Sequence, residues 1–480
     1  MRAIALAALA LAALAAGGPG SLDRSFGSGG KVLTKIGEGS AGQTVALQRD
    51  GKIVVAGAAH TGSNWDFALA RYTSRGRLDQ SFGRGGTVTT DFGSDYDYAF
   101  AMKIQPDGKI VVAGWTNGSG GGHVALARYR PNGSLDPTFG SDGKVVGPLG
   151  SGFALAVQRD GKVVVGGAAD RSFAVFRFKP DGSLDPGFGT NGEVTTPFDL
   201  DSAAIRGLAI QSDGNIVAVG SAVGHEVTEW ALARYTQEGS LDTTFGAGGT
   251  VTVFENALSN NLAEAVVFQG DRRILVAGTQ LEHVALAGFL LSGALDPTFG
   301  VDAGVTTLDS YSTTRAGEAS AVRLQRDGKI VTAGIWADLD IREFFVARFN
   351  HDGIPDQSFR SQGIAKTDLT AGEDSAYGLV LQRDGKLVAA GVAGNTNGSD
   401  GSFALVRYLA SSACRVPDVR GRPVGVAKQM ILHAHCSLGH VAHAFSSSVR
   451  KGRVISQRPW PGSSRPEHAR VRLVVSSGRR

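Results

Sequence analysis

Cysteine is nearly missing: the 480 residues hold two, Cys414 and Cys436, both in the last seventh of the chain. So small a supply excludes a multiply stapled framework. An isolated even pair in an exported chain suggests one disulfide, with two free thiols as the alternative. Methionine (3) and proline (15) are sparse while glycine reaches 68, a balance that disfavours long helices and favours tight turns. Only one long apolar run exists, over 3–16, behind Met1 and Arg2 and ahead of the breaker Gly17-Gly18-Pro19-Gly20. That layout reads as a signal peptide over 1–20, too short to span a bilayer comfortably, with an uncleaved anchor as the alternative. No cysteine near it offers a lipid attachment point. A secreted chain with no membrane span after cleavage is expected.

Acidic residues are scarce at one end only. The segment 412–480 holds 13 Lys and Arg against Asp418 and Glu467, a charge of +11, whereas the rest carries −7. A basic tail on an acidic body suits an anionic partner such as a wall polymer or nucleic acid, the alternative being a solvated basic surface. Two catalytic motifs are missing as well. His225-Glu226-Val227-Thr228-Glu229 starts like H-E-x-x-H but ends in Glu and lies in loop context. Gly30-Lys31 and Gly143-Lys144 lack the spacing of a phosphate-binding loop and lead into strands.

What is present is a repeat. LDxxFG recurs at 22–27, 78–83, 135–140, 184–189, 241–246 and 295–300, with a weakened copy at 355–360. Its Phe positions lie 56, 57, 49, 57, 54 and 60 residues apart. A second motif, VALQRDGKIVVAG at 45–57, sets two apolar β-branched runs around Asp50-Gly51. Its copies turn at Asp107-Gly108, Asp160-Gly161, Asp213-Gly214, Asp327-Gly328 and Asp384-Gly385. Asp-Gly predicts hairpins with a type I′ turn, two positive-φ residues each. The fifth copy, Asp271-Arg272, is expected to be the least regular. A third run, FALARY at 67–72 and its copies, and a fourth short one such as Lys31-Val32-Leu33-Thr34, complete four strands per unit. Seven units predict an all-β fold: a seven-bladed β-propeller of four-stranded blades over 21–411, with an open solenoid as the competing geometry.

Residues present in every unit build the unit. Asp23, Asp79, Asp136, Asp185, Asp242, Asp296 and Asp356 are therefore assigned to structure, through Asx-type bonds or pairing with the strand arginines Arg71, Arg128, Arg177, Arg234, Arg348 and Arg407. In the fifth unit Gly288 replaces that arginine, leaving Asp296 without it. Catalysis, if any, is expected in residues that break the repeat, in loops around the channel. No catalytic residue, cofactor or metal ligand is singled out. Asp95-Tyr96-Asp97-Tyr98 and Asp199-Leu200-Asp201 offer carboxylates for calcium but read first as solvated loop acids.

On these motifs the repeat resembles the delta-60 repeat family, over about 21–410. The resemblance implies a β-propeller of an exported bacterial protein and no single activity. From Cys414 on the repeat stops. VPDVRG at 416–421, a helical run at 424–434, GRVISQRPWPG at 452–462 and VRLVVS at 471–476 resemble a PASTA domain, a small α+β fold over 412–480. The resemblance implies contact with peptidoglycan, and a Cys414–Cys436 bond fits a disulfide variant of the module. The usual Gly before the last strand is replaced by His468-Ala469, so that hairpin is expected to be distorted. His433, His435, His440 and His443 show no regular ligand spacing and read as surface histidines.

The expected function is a monomeric, non-enzymatic extracellular scaffold: the propeller binds an unknown ligand or protein, and the tail contacts peptidoglycan or another anionic wall polymer. The alternatives are a hydrolase or lyase acting on extracellular polysaccharide and a purely structural surface component. Non-repeated acidic and aromatic residues gathered at one channel mouth would favour the enzyme.

Overall fold

The computed structural model describes residues 17–479 except 119, 255–260, 309–316, 339–340, 361, 395–399, 411–413, 435 and 466–468. Most of the expected signal segment, the 411/412 boundary, His435 and the turn at His468 thus lie outside the described residues. The chain divides into two units, Asp23–Arg383 with Leu387–Arg407, and one that holds Tyr408–Arg480. Among the described residues no helix is long and apolar enough to cross a membrane.

The β-branched, alanine-rich runs that recur in sequence become strands buried on both faces. Ile53–Thr61 and Asn64–Tyr72, the middle strands of the first blade, are buried along most of their length, as double-sided runs require. Gly39–Leu47 and Thr87–Thr90 flank them, half-buried. The same antiparallel order repeats at 97–149, 151–196, 202–253, 262–308 and 318–367. The seventh sheet takes three strands from 375–408 and its fourth from Lys31–Thr34, paired from Lys31↔Val406 to Thr34↔Phe403. That pairing joins the two ends of the repeat into a closed ring, which excludes the open solenoid and leaves few sheet edges bare. Apolar clusters lie between blades: Val55, Ala68 and Ala70 of the first meet Val388, Ala390 and Leu405 of the seventh.

The hairpins differ from expectation in one respect. Gly51, Gly108, Gly161, Gly214, Gly328 and Gly385 have φ between 84° and 93°, but the preceding aspartates are not left-handed. Gly51 donates its amide to Gln48 O and Gln48 donates to Lys52 O, which is a type I turn closed by a left-handed glycine rather than type I′. The cause is the aspartate itself: Asp50 Oδ1 accepts the Lys52 amide at 3.0 Å, an Asx bond that keeps its φ negative. In the fifth blade the left-handed residue is Gly270, ahead of Asp271, so the turn is built differently.

The C-terminal unit holds a helix, Val424–His433, and a three-stranded sheet in which Arg470–Ser476 runs parallel to Ser437–Ala444 and antiparallel to Val454–Arg458. Val419, Ala427, Ile431, Val454, Val471 and Leu473 form its core. Cys414 and Cys436 are bonded, with Cα atoms 4.7 Å apart, tying the entry strand to the segment after the helix.

Candidate functional site

The repeated aspartates sit in an inter-blade joint. Arg71 Nε donates to Asp79 Oδ2 at 2.9 Å, and the same bond is 2.8 Å for Arg128–Asp136, Arg177–Asp185, Arg234–Asp242 and Arg348–Asp356. Arg407 meets Asp23 at 2.9 Å. The other carboxylate oxygen accepts the amide two residues on, as from Ser81 to Asp79 at 3.1 Å. The hairpin lysine adds a second cation, Lys109 lying 3.1 Å from Asp136. Burial raises Asp136, but the Thr138 hydroxyl, Lys109 and Arg128 more than offset it and hold the acid well below the usual range. Each guanidinium also lies over the motif phenylalanine, 4.5 Å for Arg128 on Phe139, and Arg128 donates to Pro180 O of the following blade. Asp296 is not left without a cation: Arg273 Nε donates to it at 2.8 Å. Arg273 stands where the other units carry the hairpin lysine, or Asn215 in the fourth, so one arginine from the second strand takes both roles. Phe299 occupies the space above Gly288, where a Cβ would come within 2.6 Å of its ring.

The residues that break the repeat face the central channel. In every blade the innermost strand carries a β-bulge against the second: its pairing skips Gln43, Phe100, Phe153, Arg206, Glu264 and Tyr377, and in the sixth blade both Ala319 and Ser320. A bulge re-aims a side chain without dissolving the sheet. Each position, Ser320 included, lies five residues before the glutamine of the hairpin motif, yet no two blades except the second and third agree there. All of them but Ala319 and Ser320 line a cavity of about 360 Å³ along the ring axis. These non-repeated channel residues lie on strands rather than in loops, because the bulge re-aims them within the sheet. The signal was legible as a fixed offset at which the repeat fails.

Along the channel the groups segregate. Arg206 lies over the Phe153 ring at 4.5 Å, and Phe153 meets Phe100 edge-on at 5.1 Å. Phe100 stacks on Tyr98, and Tyr98 on Trp65 at 5.5 Å, an aromatic tract across blades one to three. Burial and the Glu318 carboxylate push Glu264 up to about 7, against the pull of Arg206. Three residues beyond the bulge level, Lys103 and Arg323 line the same cavity. Burial, reinforced by Arg323, pulls Lys103 down to about 8.

Of the loop acids, Asp199 and Asp201 are exposed and join no cluster of possible ligands among the described residues. Asp97 is buried and, with Asp66 and Asp91, brings one carboxylate oxygen each within 4.8 Å, a set able to hold a hard cation. Asp97 is already engaged by the Phe92 amide and the Ser94 and Thr116 hydroxyls, bonds that shape the loop. The HExxH look-alike ends inside the strand Thr228–Tyr235, and Lys31 and Lys144 open strands.

Fold and joint together define a seven-bladed β-propeller followed by a small disulfide-bonded α+β module, an architecture of the binding type. The chain carries repeats of the family described as "Domain of unknown function (DUF5122) beta-propeller", at 48–82, 105–139, 158–188, 211–245, 325–359 and 382–413, and a PASTA domain at 415–477. The fifth unit, which lacks both Asp-Gly and the strand arginine, is outside the matched segments although it folds as a blade. The bulge positions, Lys103 and Arg323 fall outside them too. Among solved structures, "Structure of U3-55K" is similar at 11% identity, covering 78% of this chain and 98% of that one, with a TM-score of 0.44. Sqt1 of Chaetomium thermophilum is similar at 11% identity, 79% and 98% coverage and a TM-score of 0.42. A protein of unknown function from Dyadobacter fermentans is similar at 12% identity, 79% and 97% coverage and 0.38. So distant a likeness assigns no partner.

Proposed function

We propose that this is an exported, wall-associated binding protein in which 21–411 holds a ligand in the propeller channel and 412–480 contacts peptidoglycan. The observation that carries the reading is a contrast. Seven joints are built from nearly the same residues, while the bulge position of each inner strand differs almost from blade to blade, as a site shaped for one ligand requires. The PASTA domain and its +11 charge support the wall contact. Purified walls sedimented with full-length protein and with a chain ending at 411 test it. Retention of the full chain only is expected; equal retention of both overturns the tether. A charge-driven contact weakens steeply with added salt, since exposed charges are screened over about 8 Å at physiological ionic strength.

A second reading, a polysaccharide hydrolase or lyase, is favoured by the gathering of Glu264, Tyr377, Phe100 and Phe153 around one cavity. It predicts that polysaccharide digests contain new reducing ends or unsaturated products and that Glu264→Gln abolishes them.

A further inference from the structure

Lys103 and Arg323 are cations that the blades do not need. At the same offset the other five blades carry Ala46, Ala156, Ala209, Val267 and Val380, so small apolar residues suffice to build the inner strand. Two like charges face one narrow cavity, and neither forms an ion pair among the described residues. The Arg323 guanidinium donates to the carbonyl of Val322, its own neighbour. Confined like charges without a counter-ion are unfavourable, and they focus a positive potential inside the channel. The acids nearest in the channel do not relieve them. Glu264 sits at the bulge level beside Arg206, and Glu318 accepts the Ser320 hydroxyl at 2.8 Å.

Geometry gives the rest of the ligand. Tyr98, Phe100 and Lys103 belong to one inner strand, Asp97–Ile104, so rings and charge are spaced over about 15 Å along it. The tract begins at the half-buried Trp65 on the third strand of the first blade and ends at Phe153 on the third blade. Flat apolar faces followed by a cation pair suit a chain of sugar rings that carries an acidic substituent, the rings lying on the aromatics and the anion taken by the guanidinium fork and ammonium. We propose that the propeller channel binds an acidic oligosaccharide, with Lys103 and Arg323 holding its anionic group and Trp65, Tyr98, Phe100 and Phe153 lining the path of its rings. The proposal rests on the channel being the ligand site and names the ligand class.

Calorimetric titration of the full-length protein at pH 7 and low salt tests it, with tetragalacturonate, a heparin tetrasaccharide and neutral cellotetraose as probes. Binding of at least one acidic tetramer and none of cellotetraose is expected, the two acidic arms separating carboxylate from sulfate recognition. Lys103→Met and Arg323→Met each weaken that binding tenfold or more, whereas Lys103→Arg retains it, which separates lost charge from lost folding. Trp65→Ala weakens the tetramer several-fold and leaves the monosaccharide unchanged. Equal binding of neutral and acidic tetramers overturns the proposal. Acidic binding untouched by the Met variants also overturns it, since the basic tail would then be the binder. Absence of binding by both acidic probes rejects the ligand class, while the wall sedimentation judges the wider reading separately.

Discussion

At the scale of single residues, the joint and the channel use buried charge in opposite ways. In the joint every charge is matched: Asp136 faces Arg128 and Lys109, so removing one member strands the others. Asp136→Ala is expected to cost about 3–5 kcal/mol in denaturant unfolding, whereas the paired change Arg128→Met with Asp136→Leu costs far less, because a buried pair is expensive mainly when broken. In the channel charge is left unmatched. Glu264, raised from 4.5 to about 7, favours the folded state only while protonated; the contribution is whole below about 4.5 and is lost as pH rises through 7. Glu264→Gln should therefore raise the melting temperature at pH 8 and leave it unchanged at pH 4, readable by scanning calorimetry. Lys103 titrates with Arg323 beside it and with Arg206 and Glu264 lining the same channel. Acid-oligosaccharide affinity should accordingly fall between pH 6 and 9, as Glu264 gains charge and Lys103 loses it.

At the scale of elements, the hairpin turn decides between two backbone geometries that the Asp-Gly pair alone permits. Gly51 is left-handed at φ 85° and Asp50 is not, so Gly51→Ala is expected to cost about 1–2 kcal/mol. Asp50→Gly should also destabilise, by about 1 kcal/mol, through loss of the Asx bond to Lys52. A stabilising Asp50→Gly in chemical denaturation would restore the type I′ assignment. The bulge is the other informative element. The apolar run ahead of the Asp-Gly turn located the inner strand, but only the skipped pair at Phe100 shows that this side chain turns toward the channel. Inter-strand register depends on the second strand, which a local pattern does not report.

At the scale of the whole molecule, closure rests on four residues far from their partners. Lys31–Thr34 completes a sheet otherwise made of 375–408, a separation of more than 360 residues. Deleting 17–34 should leave one blade three-stranded and expose its edge, lowering the melting temperature and broadening the transition; deleting 412–480 should leave the propeller transition in place. Calorimetry of the two truncated proteins separates these outcomes, and a larger loss from the C-terminal deletion would refute the assignment of closure to 31–34.

The repeat by itself determined the blade number and the four strands of each blade, because a unit that cannot bury its faces alone must stack on its copies. The VPDVRG and GRVISQRPWPG segments likewise mark the second fold. Tertiary structure alone decided three things: which strand closes the ring, that Arg273 replaces the arginine lost at Gly288, and that the variable residues lie on bulged inner strands rather than loops. Each depends on a contact between residues distant in sequence. Hydrophobic periodicity records which face of a strand is buried; it carries no record of which strand, blade or charge lies opposite.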